Sequence, residues 1–198
     1  MLDTILGRHP AIKRAQSRAA HMLFSAGLSP NRATAAGLAA GVIAGAAFGA
    51  NVTGFGIAML LVSAALDALD GTIARECAAA PTVLGGIFDL CSDRVVETAV
   101  LIGIAWRRPE LYFPALVLIG SWYVNITVFL ATGAALKRGT KLIAYPPGLV
   151  ERAEAIVLFI VLAILRPFGP WLCYIYTALE LATGTQRVFF ALTELRRE

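Results

Sequence analysis

The chain has few charged residues and very little histidine or cysteine. Of its 198 residues, only 15% are Asp, Glu, Lys or Arg, whereas soluble domains average about 25%. The three cysteines, Cys77, Cys91 and Cys173, are odd in number and lie far apart in apolar sequence. These shortages exclude a disulfide scaffold, a disordered chain and a soluble globular domain.

Apolar residues are abundant instead. Hydrophobic residues make up 58% of the chain when Ala, Val, Ile, Leu, Met, Phe, Trp, Tyr and Cys are counted. The mean hydropathy is +0.73. Because one helical span takes about 20 residues, this composition predicts an all-α integral membrane protein. Turn-forming or charged residues divide the apolar sequence into six predicted transmembrane helices. These spans are 32–50, 53–75, 83–105, 111–136, 150–166 and 169–191.

The first 30 residues are too basic to cross a bilayer. Lys13, Arg14 and Arg18 alternate with apolar residues at roughly helical spacing, which predicts an N-terminal amphipathic helix at the membrane interface. With a cytoplasmic N-terminus, most Lys and Arg fall in inner segments, as the positive-inside rule requires. We therefore expect one membrane domain over 1–198, in the cell membrane, with both termini cytoplasmic. The net charge of +4 reflects this topology and does not indicate nucleic-acid binding.

Acidic residues are concentrated in one region. Four of the five aspartates lie between residues 67 and 93, in apolar sequence. Asp67 and Asp70 are three apart and Asp89 and Asp93 are four apart, so each pair shares one helix face. If the second and third spans are antiparallel neighbours, the four carboxylates converge at their cytoplasmic ends. A charge within a span costs at least about 2.5–3.5 kcal/mol, so the cluster requires a compensating cation.

The chemistry of this cluster predicts the kind of cation. Both histidines, His9 and His21, lie in the N-terminal segment, which argues against a zinc site. Carboxylates alone favour a hard cation such as Mg²⁺, Mn²⁺ or Ca²⁺. Nearby small residues leave a gap for a ligand, and Arg75 is placed to pair with a phosphate. A metal cluster and an arginine at a membrane surface indicate a pyrophosphate-like substrate with an apolar tail.

The acidic region resembles the signature of the CDP-alcohol phosphatidyltransferases. That signature reads DxxDGxxAR, then eight or nine residues, then GxxxDxxxD. All its defining positions are matched by 67–75 and 85–93. Upstream, Pro30, Asn31 and Thr34 are similar to the Pro-Asn-x-x-Thr that often opens the family's first span. The resemblance covers essentially the whole chain.

The resemblance implies a reaction and a set of roles. The family moves a phosphatidyl or similar group from a CDP-linked lipid to an alcohol, with release of CMP. Asp67, Asp70 and Asp89 are expected to bind two Mg²⁺ or Mn²⁺ ions. Asp93 is expected to be the general base and also to touch a metal. The residues expected to bind the nucleotide are Asn31, Thr34, Asp67, Asp70, Gly71, Ala74, Arg75 and Gly85. Homodimerisation is also expected by resemblance.

The acceptor alcohol is expected to be recognised by basic residues of the second half of the chain. Lys137 or Lys141, Arg152 and Arg187 are candidates to bind one anion. The sequences around Arg152 and Arg187 look similar to family members that use inositol phosphate. We therefore expect a phosphorylated polyol, inositol phosphate or glycerol phosphate, as the acceptor. Serine or another non-phosphorylated alcohol remains an alternative.

Two other classes use intramembrane carboxylates. Intramembrane prenyltransferases also carry two aspartate-rich motifs, but these lie much farther apart than Asp70 and Asp89 do here. A divalent-cation transporter binds its ion with buried acids. Here the acids lie at one membrane face, and Arg75 beside them repels a cation. Both alternatives are disfavoured, and the lipid transferase is preferred.

Overall fold

The computed structural model describes residues 10–78, 82–135, 148, 150 and 152–196. Within these residues the chain is helical and contains no β-strand. Short 3₁₀ turns lie at Pro109–Leu111 and Arg166–Phe168. The helices are α1 (Pro10–Ser25), α2 (Pro30–Gly49), α3 (Thr53–Glu76), α4 (Val83–Ala105), α5 (Tyr112–Ala135), α6 (Arg152–Ile164) and α7 (Gly169–Leu195).

A helix occupies each of the six predicted spans, but not every helix is long and apolar enough to cross a membrane. In the part of the chain that the structure describes, three pass that test, namely α2, α3 and Pro109–Ala135. A fourth is added if α6 and the following helix, bent by 115°, are taken as one broken span. At 1.5 Å per residue, the 13 residues of α6 cover about 20 Å of a hydrocarbon core that is about 30 Å thick. The chain is a multi-pass membrane protein, while six crossings remain a prediction.

The helices form two compact units, Asp3–Arg107 and Arg108–Glu198. In the first unit, α2 packs along both α3 and α4. In the second unit, α5 packs along α7. The single domain over 1–198 stays a prediction, and each unit is described by itself below.

Glycines on α2 allow both neighbouring helices to approach closely. A Cβ atom at Gly37 would lie 3.4 Å from the carbonyl oxygen of Ser63 on α3, and one at Gly45 would lie 2.5 Å from that of Ala99 on α4. Gly41, between them, touches Val96 of α4. This register makes α2 antiparallel to α3 and parallel to α4. The start of α2, the end of α3 and the start of α4 therefore lie at the same end of the unit.

This close approach predicts that one methyl group added at the contact between α2 and α4 lowers the stability of the protein. A Cβ at Gly103 of α4 would overlap the carbonyl oxygen of Gly45, and a backbone atom cannot rotate away as a side chain can. Because such overpacking typically costs about 1–3 kcal/mol, we expect Gly103→Ala to lower the melting temperature of the detergent-purified protein. The matched control is Gly120→Ala, since a Cβ there meets nothing within 4 Å. Equal melting temperatures for the two variants would contradict this packing.

The short helix α1 packs against the same end of the unit. Its Ala20 is fully buried with Ala33 of α2 and Ile73 of α3. The Ser17 hydroxyl donates a 2.6 Å hydrogen bond to the Glu76 carboxylate at the end of α3. A helix lies over Pro10–Ser25 within the predicted N-terminal segment, while its amphipathic role and its position at a membrane interface stay predictions.

In the second unit, Arg108 binds backbone carbonyls at the end of α6 and in the 3₁₀ turn that follows it. It donates hydrogen bonds to the backbone carbonyls of Leu162, at 2.9 Å, and of Arg166. The last carbonyls of a helix lack partners within the helix, so Arg108 satisfies them where α6 ends. Its third partner is Glu110, at 3.1 Å.

Candidate active site

The structure brings three of the four predicted aspartates together. Asp67 lies nine residues before the end of α3, and Asp89 and Asp93 lie six and ten residues after the first residue of α4. One carboxylate oxygen from each lies within 4.8 Å of the other two. All three residues are half-buried. We call these three residues the carboxylate cluster.

The register of α2 explains this convergence. At its N-terminal end, Gly37 faces the backbone of α3 at Asp67, whose nitrogen would be 3.8 Å from a Cβ at Gly37. Asn31, one helical turn and a half earlier, faces Gly85 at the start of α4. Thr82 caps α4, because its hydroxyl accepts a 3.0 Å hydrogen bond from the Gly85 amide. Both acid-bearing helices are therefore positioned by one end of α2.

The donor set of the carboxylate cluster fits a divalent cation. Three like charges within 4.8 Å repel one another unless a cation or protons neutralise them. The Oδ1 atom of Asp89 is buried and has no hydrogen-bond partner among the described residues. A buried, unpartnered carboxylate oxygen is costly, and a metal ion would supply its missing partner. Oxygen-only ligands suit Mg²⁺ or Mn²⁺.

Asp70 has a different environment from the carboxylate cluster. It lies one turn after Asp67 and is 7% exposed. The Thr34 hydroxyl of α2 donates a 2.6 Å hydrogen bond to its Oδ2 atom. This bond joins the start of α2 to the end of α3. The metal-binding role of Asp70 and the nucleotide-binding role of Thr34 stay predictions.

The other predicted nucleotide-binding residues lie in two close pairs. A Cβ at Gly85 would lie 3.2 Å from the side-chain oxygen of Asn31, and one at Gly71 would lie 3.0 Å from Nη1 of Arg75. The Arg75 side chain is exposed and folds back over Gly71, one turn before it. Ala74 precedes Arg75 on α3 and is half-buried. Larger residues at the two glycines would fill space beside the polar groups of Asn31 and Arg75.

One further acid beside the cluster is not predicted from the sequence. Glu97 lies one turn after Asp93 on α4 and is 8% exposed. Its carboxylate pairs with Arg94 at 2.7 Å, and Arg94 also lies 3.8 Å from the Asp93 carboxylate. The signal that points to Glu97 is an acidic residue in the apolar second half of α4, which is costly without a partner.

The basic residues predicted to bind the acceptor belong to the second unit. Arg187 of α7 is 9% exposed and donates a 2.8 Å hydrogen bond to the side-chain oxygen of Asn125. Arg152 begins α6 and is half-buried. Lys137 and Lys141 lie outside the described residues. Two polar residues buried among apolar helices, Asn125 and Glu180, are also not predicted from the sequence.

Fold and site together define a class: multi-pass membrane proteins with a carboxylate cluster suited to a divalent cation. Comparison with known proteins identifies the family. Residues 28–186 match the model of the CDP-alcohol phosphatidyltransferases. The chain belongs to the CDP-alcohol phosphatidyltransferase family, which confirms the resemblance. It is a transferase of substituted phosphate groups in phospholipid biosynthesis.

Individual relatives match over nearly the full chain. The archaetidylinositol phosphate synthase of Pyrococcus horikoshii is 31% identical over 189 residues, with 94% of this chain and 95% of that protein covered. The inner membrane protein YnjF of Escherichia coli is 28% identical over 216 residues, with both chains fully covered.

Solved structures of Mycobacterium tuberculosis phosphatidylinositol phosphate synthase share the fold. The structure with CDP-DAG bound has a TM-score of 0.75 at 23% identity and covers 91% of this chain and 94% of its own. The complex with manganese and citrate has a TM-score of 0.73 at 23% identity, with coverage of 90% and 89%.

Proposed function

We propose that this enzyme transfers a phosphatidyl or similar phosphoryl-lipid group from a CDP-linked lipid, such as CDP-diacylglycerol, to the hydroxyl of a phosphorylated polyol. CMP is the other product. The observation that carries the proposal is the carboxylate cluster, with its oxygen-only donors within 4.8 Å of one another, in a chain of this family. Inositol phosphate and glycerol phosphate are the candidate acceptors.

The acidic residues have separate tasks in this proposal. Asp67, Asp70 and Asp89, together with Asp93, hold two Mg²⁺ or Mn²⁺ ions. When bound, these ions offset the charge that develops on the leaving CMP. Asp93 takes the proton of the acceptor hydroxyl while the acceptor oxygen bonds to phosphorus and the bond from phosphorus to CMP breaks. The solved relative with bound manganese supports this choice of metals.

The nucleotide is held by residues at the same end of the first unit. Arg75 pairs with the nucleotide's phosphate or base, and Asn31 and Thr34 bind it from α2. Gly71, Ala74 and Gly85 make room for the cytidine, because side chains at the two glycines would meet Arg75 and Asn31. The solved relative with CDP-DAG bound supports a CDP-linked donor.

Arg152 and Arg187, with Lys137 or Lys141, are proposed to bind the phosphate of the acceptor. Arginine remains charged at any physiological pH and binds phosphate through two parallel N–H donors. Two relatives are named inositol phosphate lipid synthases, which supports a phosphorylated acceptor. The buried position of Arg187 supports a binding role over a role in topology alone.

The proposed membrane arrangement follows the sequence. We place six crossings in the cell membrane, with both termini and the active site cytoplasmic and α1 on the membrane surface as an amphipathic helix. The distribution of Lys and Arg supports this orientation, and so does the contact of α1 with the end of α3 that carries the acids. A homodimer is proposed by family resemblance.

An acceptor panel tests the proposal. We expect CMP release from CDP-diacylglycerol with inositol phosphate or glycerol phosphate, and little with free inositol or serine. Arg152→Ala and Arg187→Ala should raise the acceptor KM about 10–100-fold, because a hydrogen bond to a charged group contributes about 1.5–3 kcal/mol. The KM for the CDP-lipid should stay within about twofold. Steady-state kinetics in detergent, scored by CMP release, measure all of these values.

The exposed Arg107 supplies a control, since Arg107→Ala removes the same charge elsewhere and should leave both KM values unchanged. A preference for serine or free inositol would overturn the phosphorylated acceptor. Equal increases in both KM values would remove Arg152 and Arg187 from the acceptor site.

A further inference from the structure

Three polar side chains form a buried chain between α5 and α7. Asn125, Glu180 and Arg187 are 7%, 7% and 9% exposed. The amide nitrogen of Asn125 donates to the Glu180 carboxylate, and its amide oxygen accepts from Nη1 of Arg187 at 2.8 Å. We call Asn125 and Glu180 the brace of Arg187.

The brace lies far from both ends of its helices. Asn125 is 13 residues after Tyr112, the first residue of α5, and Glu180 is 11 residues after Gly169, the first of α7. At 1.5 Å per residue these distances are about 20 Å and 16 Å along the helix axes. A carboxylate at such depth costs at least about 2.5–3.5 kcal/mol, and a buried ion pair is often no more stable than apolar residues of the same size. Helix packing alone therefore does not account for Glu180.

The chemistry of the two side chains determines how Asn125 is oriented. An ionised carboxylate only accepts hydrogen bonds, and a guanidinium only donates them. Glu180 therefore keeps the NH₂ group of Asn125 on its own side, which turns the amide oxygen toward Arg187. Without Glu180, the amide is free to turn over and present its NH₂ group to the guanidinium, where no hydrogen bond forms.

Further contacts fix the guanidinium of Arg187 on its other sides. Its central carbon lies 5.0 Å from the centroid of the Phe129 ring, in cation–π contact. A Cβ at Gly148 would lie 3.1 Å from Nη2. Val150 is tied to α7 because its backbone amide donates a 3.2 Å hydrogen bond to the Thr183 hydroxyl. Asn125, Phe129 and the backbone at Gly148 therefore lie around the guanidinium.

We propose that Asn125 and Glu180 are positioning residues, which hold the Arg187 guanidinium in the orientation that binds the phosphate of the acceptor. This inference rests on the acceptor-binding role proposed for Arg187. A preoriented guanidinium loses less conformational freedom when the anion binds, so the brace lowers the acceptor KM. Neither brace residue touches the acceptor in this proposal.

Substitutions of Asn125 and Glu180 test whether the brace lowers the acceptor KM. We expect Glu180→Leu and Asn125→Leu to raise the acceptor KM about tenfold and to leave the CDP-lipid KM within about twofold. Glu180→Gln retains an oxygen that accepts from the Asn125 amide, so it should keep the acceptor KM within about threefold of the parent. If the leucine variants do not fold, Asn125→Ser carries the same test with a small polar side chain.

Ser121 supplies a matched control on the same helix. It is 4% exposed and lies one turn before Asn125. Among the described residues, its hydroxyl donates to the Leu118 carbonyl of its own helix, at 2.7 Å. Ser121→Ala should leave both KM values and the melting temperature unchanged. A purely structural role for the brace would instead lower the melting temperature of its variants and impair both substrates alike, which would overturn the proposal.

A double-mutant cycle tests whether the brace acts through Arg187. Arg187→Lys keeps a cation near Glu180 but loses the planar fork, so we expect a higher acceptor KM. Adding Glu180→Leu to Arg187→Lys should then change the acceptor KM by less than about twofold. If the two effects multiply, or if only Arg187→Lys has an effect, the brace is overturned and the acceptor site stands. If neither Arg187→Lys nor Arg187→Ala alters the acceptor KM, both the acceptor site and the brace are overturned.

Discussion

Asp93→Asn is expected to lower the rate of CMP release about 10²–10⁴-fold, the usual contribution of a general base. Asn has nearly the size of Asp, so the packing of α4 is retained, but its amide cannot take the proton of the acceptor hydroxyl. Binding of the CDP-lipid should be retained, because Asp67 and Asp89 of the carboxylate cluster remain. Single-turnover CMP release and equilibrium binding of the CDP-lipid measure the two quantities separately.

The neighbouring Ser92 gives this experiment its control. It is buried on α4, and its hydroxyl has no hydrogen-bond partner among the described residues. Ser92→Ala should therefore turn over at close to the parent rate. Asp93 loses the role of base if Asp93→Asn keeps more than about a tenth of the parent turnover.

Removal of divalent metal is expected to abolish turnover completely. EDTA should bring CMP release below detection, and Mg²⁺ or Mn²⁺ should restore it. The reason is that carboxylates within 4.8 Å of one another repel the pyrophosphate of the donor unless cations lie between them. Direct binding of Mn²⁺, followed by electron paramagnetic resonance, measures the site independently of activity.

Asp89→Asn connects this metal requirement to the carboxylate cluster. Because the buried Oδ1 atom of Asp89 lacks a partner among the described residues, its replacement should raise the Mn²⁺ concentration needed for half-saturation at least tenfold. Glu110→Gln, at an exposed acid of the second unit, should leave Mn²⁺ binding unchanged. Turnover that persists in EDTA would contradict the two-metal proposal.

Helix positions are largely predictable from this sequence. The spans expected at 53–75 and 83–105 correspond to Thr53–Glu76 and Val83–Ala105. Asn51, where a break is expected, has a φ of 64°, a left-handed conformation that asparagine tolerates better than most residues. Long apolar runs between turn-forming residues determine these helices locally, so no tertiary information is needed. The span expected at 150–166 is less accurate, since α6 is shorter, at Arg152–Ile164.

The candidate site is predictable only in part. The spacing of Asp67, Asp89 and Asp93 places them on helix faces that the structure brings together. The spacing of Asp70 is equally regular, yet its Oδ2 atom is engaged by Thr34. Glu97 and the brace of Arg187 belong to no motif, because their partners lie on another helix or at a spacing that is common in any helix.

The membrane class, the family, the helices and the faces on which the acids lie are all predictable from the sequence. The reason is that composition, helical periodicity and a motif are local properties. The packing of the helices determines which carboxylates meet, that Thr34 donates to Asp70, and that Asn125 binds both Glu180 and Arg187. The physical reason is that these contacts join different helices. The hydrogen bonds connect residues 36 to 62 positions apart, and Asp67 lies 22 and 26 positions before Asp89 and Asp93. Their distances depend on how closely whole helices approach and in which register, which in the first unit is set by the glycine contacts of α2.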